Sequence, residues 1–159
     1  MRNLLPLLLL VVTSCSNSEP ASPQAFAEKF TAAESKAWLT GDLSDLKAVE
    51  DTNVVFHLGS VDLKGWSAHE DYIVKGRPTV SNLKQDWKYL SGEGNHFVLD
   101  YSASGRLLGD KKTPPADFTN SYLFAVRIKD NKVAEVWANG SSTTSPLKEK
   151  STKGKSKKK

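Results

Sequence analysis

From His96 onward the chain alternates polar and apolar residues with a period of two, which commits its C-terminal half to antiparallel strands. In HFVLDYSA (residues 96–103), Phe97, Leu99 and Tyr101 fall on one side and His96, Val98, Asp100 and Ser102 on the other. A Gly/Lys/Pro-rich loop follows at residues 109–116, and then FTNSYLFAVRI (residues 118–128) forms a second strand. Asp130-Asn131 is a tight turn, and KVAEVWANGS (residues 132–141) returns as the hairpin partner. In that last strand Val133, Glu135, Trp137 and Asn139 share one face and Ala134, Val136 and Ala138 the other.

The N-terminal half carries a different period. Ser22-Pro23 is an N-cap followed by proline in the first helical turn, where a missing N–H costs nothing. Phe26, Phe30, Ala33 and Ala37 recur at helical spacing, Trp38 follows, and Gly41 ends the helix. Asp42 caps a short second helix with Leu43, Leu46 and Val49 apolar. NVVFHL (residues 53–58) is a strand closed by Gly59, and EDYIVKG (residues 70–76) is expected as another. Pro78 is expected to open a third helix, with Val80, Leu83, Trp87 and Leu90 on one stripe and Gly92 at its end. Two helices, two short strands, a helix and three long strands make an α+β domain, helices on one face of a curved sheet.

The ends of the chain are of another kind. Arg2 heads the apolar run LLPLLLLVV, which leads through Thr13 and Ser14 to Cys15, the only cysteine of 159 residues. The run is too short for a spanning helix, which needs about 20 apolar residues, and it has the build of a secretory signal. VTSC resembles the bacterial lipoprotein box, which implies lipidation at Cys15 and export to the envelope. With Ser16 next, that implies the periplasmic face of the outer membrane in a Gram-negative host. Residues 1–14 are then the signal peptide and residues 15–22 the lipidated cysteine and a polar tether. With its single cysteine acylated, the chain has no internal disulfide, and packing alone must hold the fold.

The formal charge of +4 misleads, because LKEKSTKGKSKKK (residues 147–159) carries seven lysines and one glutamate. Residues 3–146 hold 14 basic and 17 acidic side chains, a net −3. Residues 144–159 read as a disordered Lys-rich tail that touches anionic envelope surfaces. Nucleic acid is excluded as a partner by the export signal.

The element order, and the ending YLFAVRIKDNKVAEVW above all, resembles the SnoaL-like branch of the nuclear-transport-factor-2-like superfamily. Lys132, Val133, Glu135 and Trp137 match the branch's closing hairpin, and Lys75-Gly76 matches a usual glycine; the resemblance spans about residues 24–143. It implies a cone: a strongly curved antiparallel sheet with helices packed on its concave side around a pocket. Relatives range from polyketide cyclases and isomerases to dehydratases, epoxide hydrolases, binding modules and homodimerising accessories, so function rests on the pocket. Where the resemblance implies a catalytic acid after the final Trp, this chain has Ala138 and Asn139. Where isomerases carry a carboxylate at the end of the first strand it has His57, and Ser121, Tyr122 and Leu123 stand where they carry a protonated acid.

The remaining catalytic set is His57 as general base, with Asp100 and Tyr122 to orient it or stabilise an oxyanion. Phe56, Trp66, Tyr72, Trp87, Tyr101 and Trp137 are the expected ligand-binding aromatics. His69-Glu70-Asp71 is consecutive, so in a strand its side chains alternate between faces, and no metal site or cofactor is expected. The expectation is a lipid-anchored domain that binds a small apolar ligand or a partner protein without catalysis. An enzyme with His57 as base and a dimerising accessory are the alternatives.

Overall fold

The computed structural model describes residues 22–147; the expected signal peptide, lipidated Cys15 and most of the expected tether, in residues 1–21, and residues 148–159 of the expected tail lie outside the described residues. Helix α1, Pro23–Thr40, begins where Ser22 Oγ accepts the N–H of Ala25 at 3.2 Å. It ends at Gly41, whose φ of +83° lets its N–H turn back to the carbonyl of Ala37. Phe26, Phe30, Ala33 and Ala37 are all buried, as their spacing requires. Asp42 accepts the N–H of Ser44 at 3.0 Å, and α2, Ser44–Val49, follows with Leu46 and Val49 buried. Strand β1 is Glu50–Leu58 and turns at Gly59 into β2, Val61–Lys64.

Two expected elements change type. Residues 70–76 belong to helix α3, Trp66–Gly76, and not to a strand. Its buried residues are Trp66, His69 and Ile73, a helical spacing that the polar identity of His69 conceals. The helix expected from Pro78 is a 3₁₀ turn, Arg77–Thr79, that leads into strand β3, Val80–Glu93. There Leu83, Gln85, Trp87 and Tyr89 are half-buried while Lys84, Asp86, Lys88 and Leu90 are exposed. That is strict period two, and the sheet beside it decides between the two periods.

Strands β4, His96–Leu107, β5, Ala116–Lys129, and β6, Lys132–Pro146, complete a six-stranded sheet in the order β2-β1-β6-β5-β4-β3. Every pairing is antiparallel except β1 with β6, which run parallel with His57 opposite Trp137. Strand β6 runs three residues past the expected domain end at 143. Asp130 and Asn131, with φ of +51° and +56°, make the expected β5–β6 turn. Beside it the register shifts, so that Arg127 faces Glu135 and Ile128 faces Val133, leaving Ala134 as a bulge. The bulge puts Val133 in the core, although strict alternation groups it with Glu135 and Trp137.

Helix α1 lies across β3 and β4, and α3 lies against β1 and β2. Phe26 and Phe30 each stand 6.3 Å from the Phe97 ring, centroid to centroid. This packing fills one end of the concave face, where burying an aromatic side chain contributes about 1.5–3 kcal/mol. The other end stays open.

Candidate functional site

A cavity of about 720 Å³ lies between the concave face and the helices. Strand parity sets its wall. Two inward rows run across the sheet in register: Trp87, Tyr101, Tyr122 and Gly140, and beside it Gln85, Ala103, Asn120 and Ser142. The Trp87 and Tyr101 rings are 4.1 Å apart, and Phe124 stands 5.3 Å from Trp87. Of the expected ligand aromatics, Phe56, Tyr72, Trp87 and Tyr101 line the cavity, and so does Tyr122. Trp66 does not; it is buried in the core beside β1. Trp137 is 39% exposed and outside the cavity lining.

His57 is not on the cavity wall. Phe56 and Leu58 on either side of it line the cavity, so the pleat turns His57 to the outer face. There Nδ1 is 2.9 Å from Asp62, Nε2 is 3.1 Å from Glu135, and the ring stacks on Trp137 at 5.6 Å. Hydrogen bonds to Glu135 and Asp62 raise its pKa, while Arg127 and His57 lower that of Glu135. Asp100 is exposed and paired in register with Lys88 and Leu123, on the outer face as well. The expected His57–Asp100–Tyr122 set is therefore split across the sheet, and only Tyr122 reaches the cavity.

A different set occupies the inner side. Glu34 of α1, Glu50 at the start of β1 and His69 of α3 are 5%, 4% and 3% exposed. Both carboxylate oxygens of Glu50 are 3.1 Å from Nδ1 of His69. Nε2 on the other edge of the ring is 3.6 Å from Glu34 Oε1, too far for a hydrogen bond. Phe56 covers the imidazole face at 3.9 Å. Glu34 and His69 line the cavity, and Glu50 stands behind His69. Burial pushes Glu34 up to about 7, against the pull of His69 and with the push of Glu50. Burial pushes Glu50 up to about 8 and His69 down.

The chemistry of this chain of groups is proton holding and orientation. With Nδ1–H donating to Glu50, the Nε2 lone pair is turned toward Glu34 and the cavity. The donor atoms of the three residues lie within 4.8 Å of one another. Two carboxylates and one imidazole at that spacing are a donor set that fits a divalent cation, in residues that the expectation of no metal site did not bring together.

No protein-family model and no curated protein matches the sequence. Solved structures do match it. TsrD from Streptomyces laurentii is 21% identical with a TM-score of 0.63, over 74% of this chain and 89% of that one. SalBIII, described as an epoxide hydrolase/cyclase-like enzyme in pyran ring formation in the polyether salinomycin, is 12% identical with a TM-score of 0.60, over 76% and 93%. A nuclear-transport-factor-2-like protein of unknown function from an Exiguobacterium species is 12% identical with a TM-score of 0.58, over 73% and 98%. The likeness covers most of the length of these proteins and shows the fold: a curled six-stranded sheet with helices on it, the cone fold of nuclear-transport-factor-2-like proteins.

Proposed function

We propose that the chain is a lipid-anchored envelope protein whose cone domain binds a small, largely apolar molecule. The cavity carries this reading: about 720 Å³, with Trp38, Phe56, Trp87, Tyr101 and Phe124 as its large apolar wall and Glu34, His69, Gln85 and Asn120 among its polar groups. That volume lies within the range of about 300–1,000 Å³ common for small-molecule sites. SalBIII, an epoxide hydrolase/cyclase-like enzyme in polyether pyran ring formation, supports a small-molecule role for a cone of this shape. Envelope anchoring rests on VTSC and the apolar run before it.

A specific observation favours a second reading, acid–base catalysis, with His69 in the place expected for His57. His69 is held by Glu50 on one edge and opens to the cavity on the other. One experiment separates the readings. Naphthylacetone, an apolar ketone with acidic α-hydrogens, is added in deuterated water, with binding read by tryptophan fluorescence and exchange by NMR. Binding without catalysed exchange supports the first reading. Exchange that falls about 100-fold in His69→Gln, the usual worth of a general base, supports the second. His57→Gln leaves both readouts unchanged, because that side chain is outside the cavity. Absence of binding refutes both readings.

A further inference from the structure

We infer that the cavity takes an amphipathic organic amine, with its ammonium group at Glu34 and its apolar body against the aromatic wall. This rests on the binding reading above and names its ligand class. The titratable groups on the wall are Glu34 from α1, His69 and Tyr72 from α3, Tyr101 from β4 and Tyr122 from β5. No Lys or Arg among the described residues lines it. A buried carboxyl is ordinarily paired with a cation, and Glu34 has only the loose 3.6 Å approach of His69.

An anion would meet the Glu34 carboxyl, and a hydrocarbon would leave that carboxyl without a partner. An ammonium group supplies three hydrogens and a positive charge in one small head. Trp38, Tyr72, Trp87 and Tyr101 on the same wall supply aromatic rings of the kind that attract a cation. Burial holds Glu34 protonated near neutral pH, so binding of the ammonium should expel a proton.

The test uses three probes with one apolar body: naphthylethylamine, naphthylethanol and naphthylacetate, each titrated into the full chain in detergent at pH 8. The amine should bind at least about 10-fold more tightly than the alcohol, and the acetate should bind least. Glu34→Gln should lower amine affinity to that of the alcohol while leaving alcohol affinity within about 3-fold. Should that variant fail to fold, wild-type calorimetry in two buffers of different ionisation heat still decides. At pH 7 the amine should release a fraction of a proton and the alcohol none. Equal amine and alcohol affinities, a preference for acetate, or amine binding without proton release overturns the amine assignment and leaves the binding cavity standing. No binding by any probe overturns both.

Discussion

Glu34 and Glu50 hold protons that an exposed glutamate would have given up, and this ties stability to pH. A carboxyl whose folded pKa lies above its unfolded value gives stability fully present below the unfolded value. Here that stability is lost as pH rises through about 7 for Glu34 and about 8 for Glu50. His69 is shifted down, so its contribution is complete above its unfolded value and lost only as pH falls through its folded value. Above about pH 6.5, the usual histidine value, the two buried carboxyls set most of the slope, and partly exposed His57, whose pKa Glu135 and Asp62 raise, adds to it in the same direction. Wild-type stability should therefore fall between about pH 6.5 and 8.5 by on the order of 2 kcal/mol, one pKa unit being about 1.4 kcal/mol. Glu50→Gln keeps the shape and removes one of the two titrations, so its loss over the same range should be less than half that of the wild type, the remainder coming chiefly from Glu34. Urea unfolding at both pH values measures the difference. A wild type with no such fall, or a variant that falls as steeply, would mean that Glu50 is already ionised in its pocket.

Among the elements, Gly140 shows how tightly the inner rows are built. A Cβ there would stand 2.1 Å from the Ser121 carbonyl oxygen and 2.6 Å from Tyr122 Cα, both backbone atoms that cannot swing away. Gly140→Ala should force β5 and β6 apart at the cavity wall. Its cost should be about 1–3 kcal/mol, the range for overpacking, whereas Ser142→Ala, two residues on in the same strand, should cost under about 0.5 kcal/mol. Thermal unfolding of the two variants compares them directly, and a Gly140→Ala as mild as the control would remove the close approach. Such rows also explain what could be read beforehand. Strands β4, β5 and β6 were legible because one face is covered and the other wet, so every second residue is apolar. Strand β3 was not, since Val80, Leu83, Trp87 and Leu90 also fit a helical stripe; only the cover supplied by α1 makes Gln85 and Tyr89 inward residues. The site was hidden for the same reason. Glu34 stands at four-residue spacing in the series Phe26, Phe30, Glu34 and Trp38, a carboxylate on an apolar stripe, and that was its one signal. His69 meets Glu50 through a contact between α3 and β1 that no local pattern encodes, and His57 faces outward by one step of the pleat.

At the scale of the whole molecule, the proposed anchor and the charge distribution act on the same membrane by different physics. An acyl group on Cys15 would bind through apolar burial, which salt does not weaken. The lysines of residues 147–159 would bind an anionic surface at on the order of 1 kcal/mol each, screened beyond a Debye length of about 10 Å at 0.1 M salt. Residues 3–146 carry a net −3 and would be repelled by that same surface, so the Lys-rich run must offset the domain as well as attract. Salt therefore distinguishes the two contributions. Protein acylated in its host should stay on anionic vesicles as salt is raised from about 0.05 to 0.5 M, a range over which the Debye length shrinks roughly threefold. Cys15→Ser made without residues 1–14, so that no uncleaved apolar run remains, should bind at the low end and leave at the high end. Removing residues 148–159 from Cys15→Ser should abolish binding throughout, with the unfolding midpoint within about 2 °C of the parent, since β6 and its ladder end at Pro146. Cosedimentation reads all three. A Cys15→Ser protein that holds to vesicles at high salt would show that the anchor lies elsewhere, and an exposed apolar residue of the outer sheet face, Trp137 or Leu123, would be the first place to look.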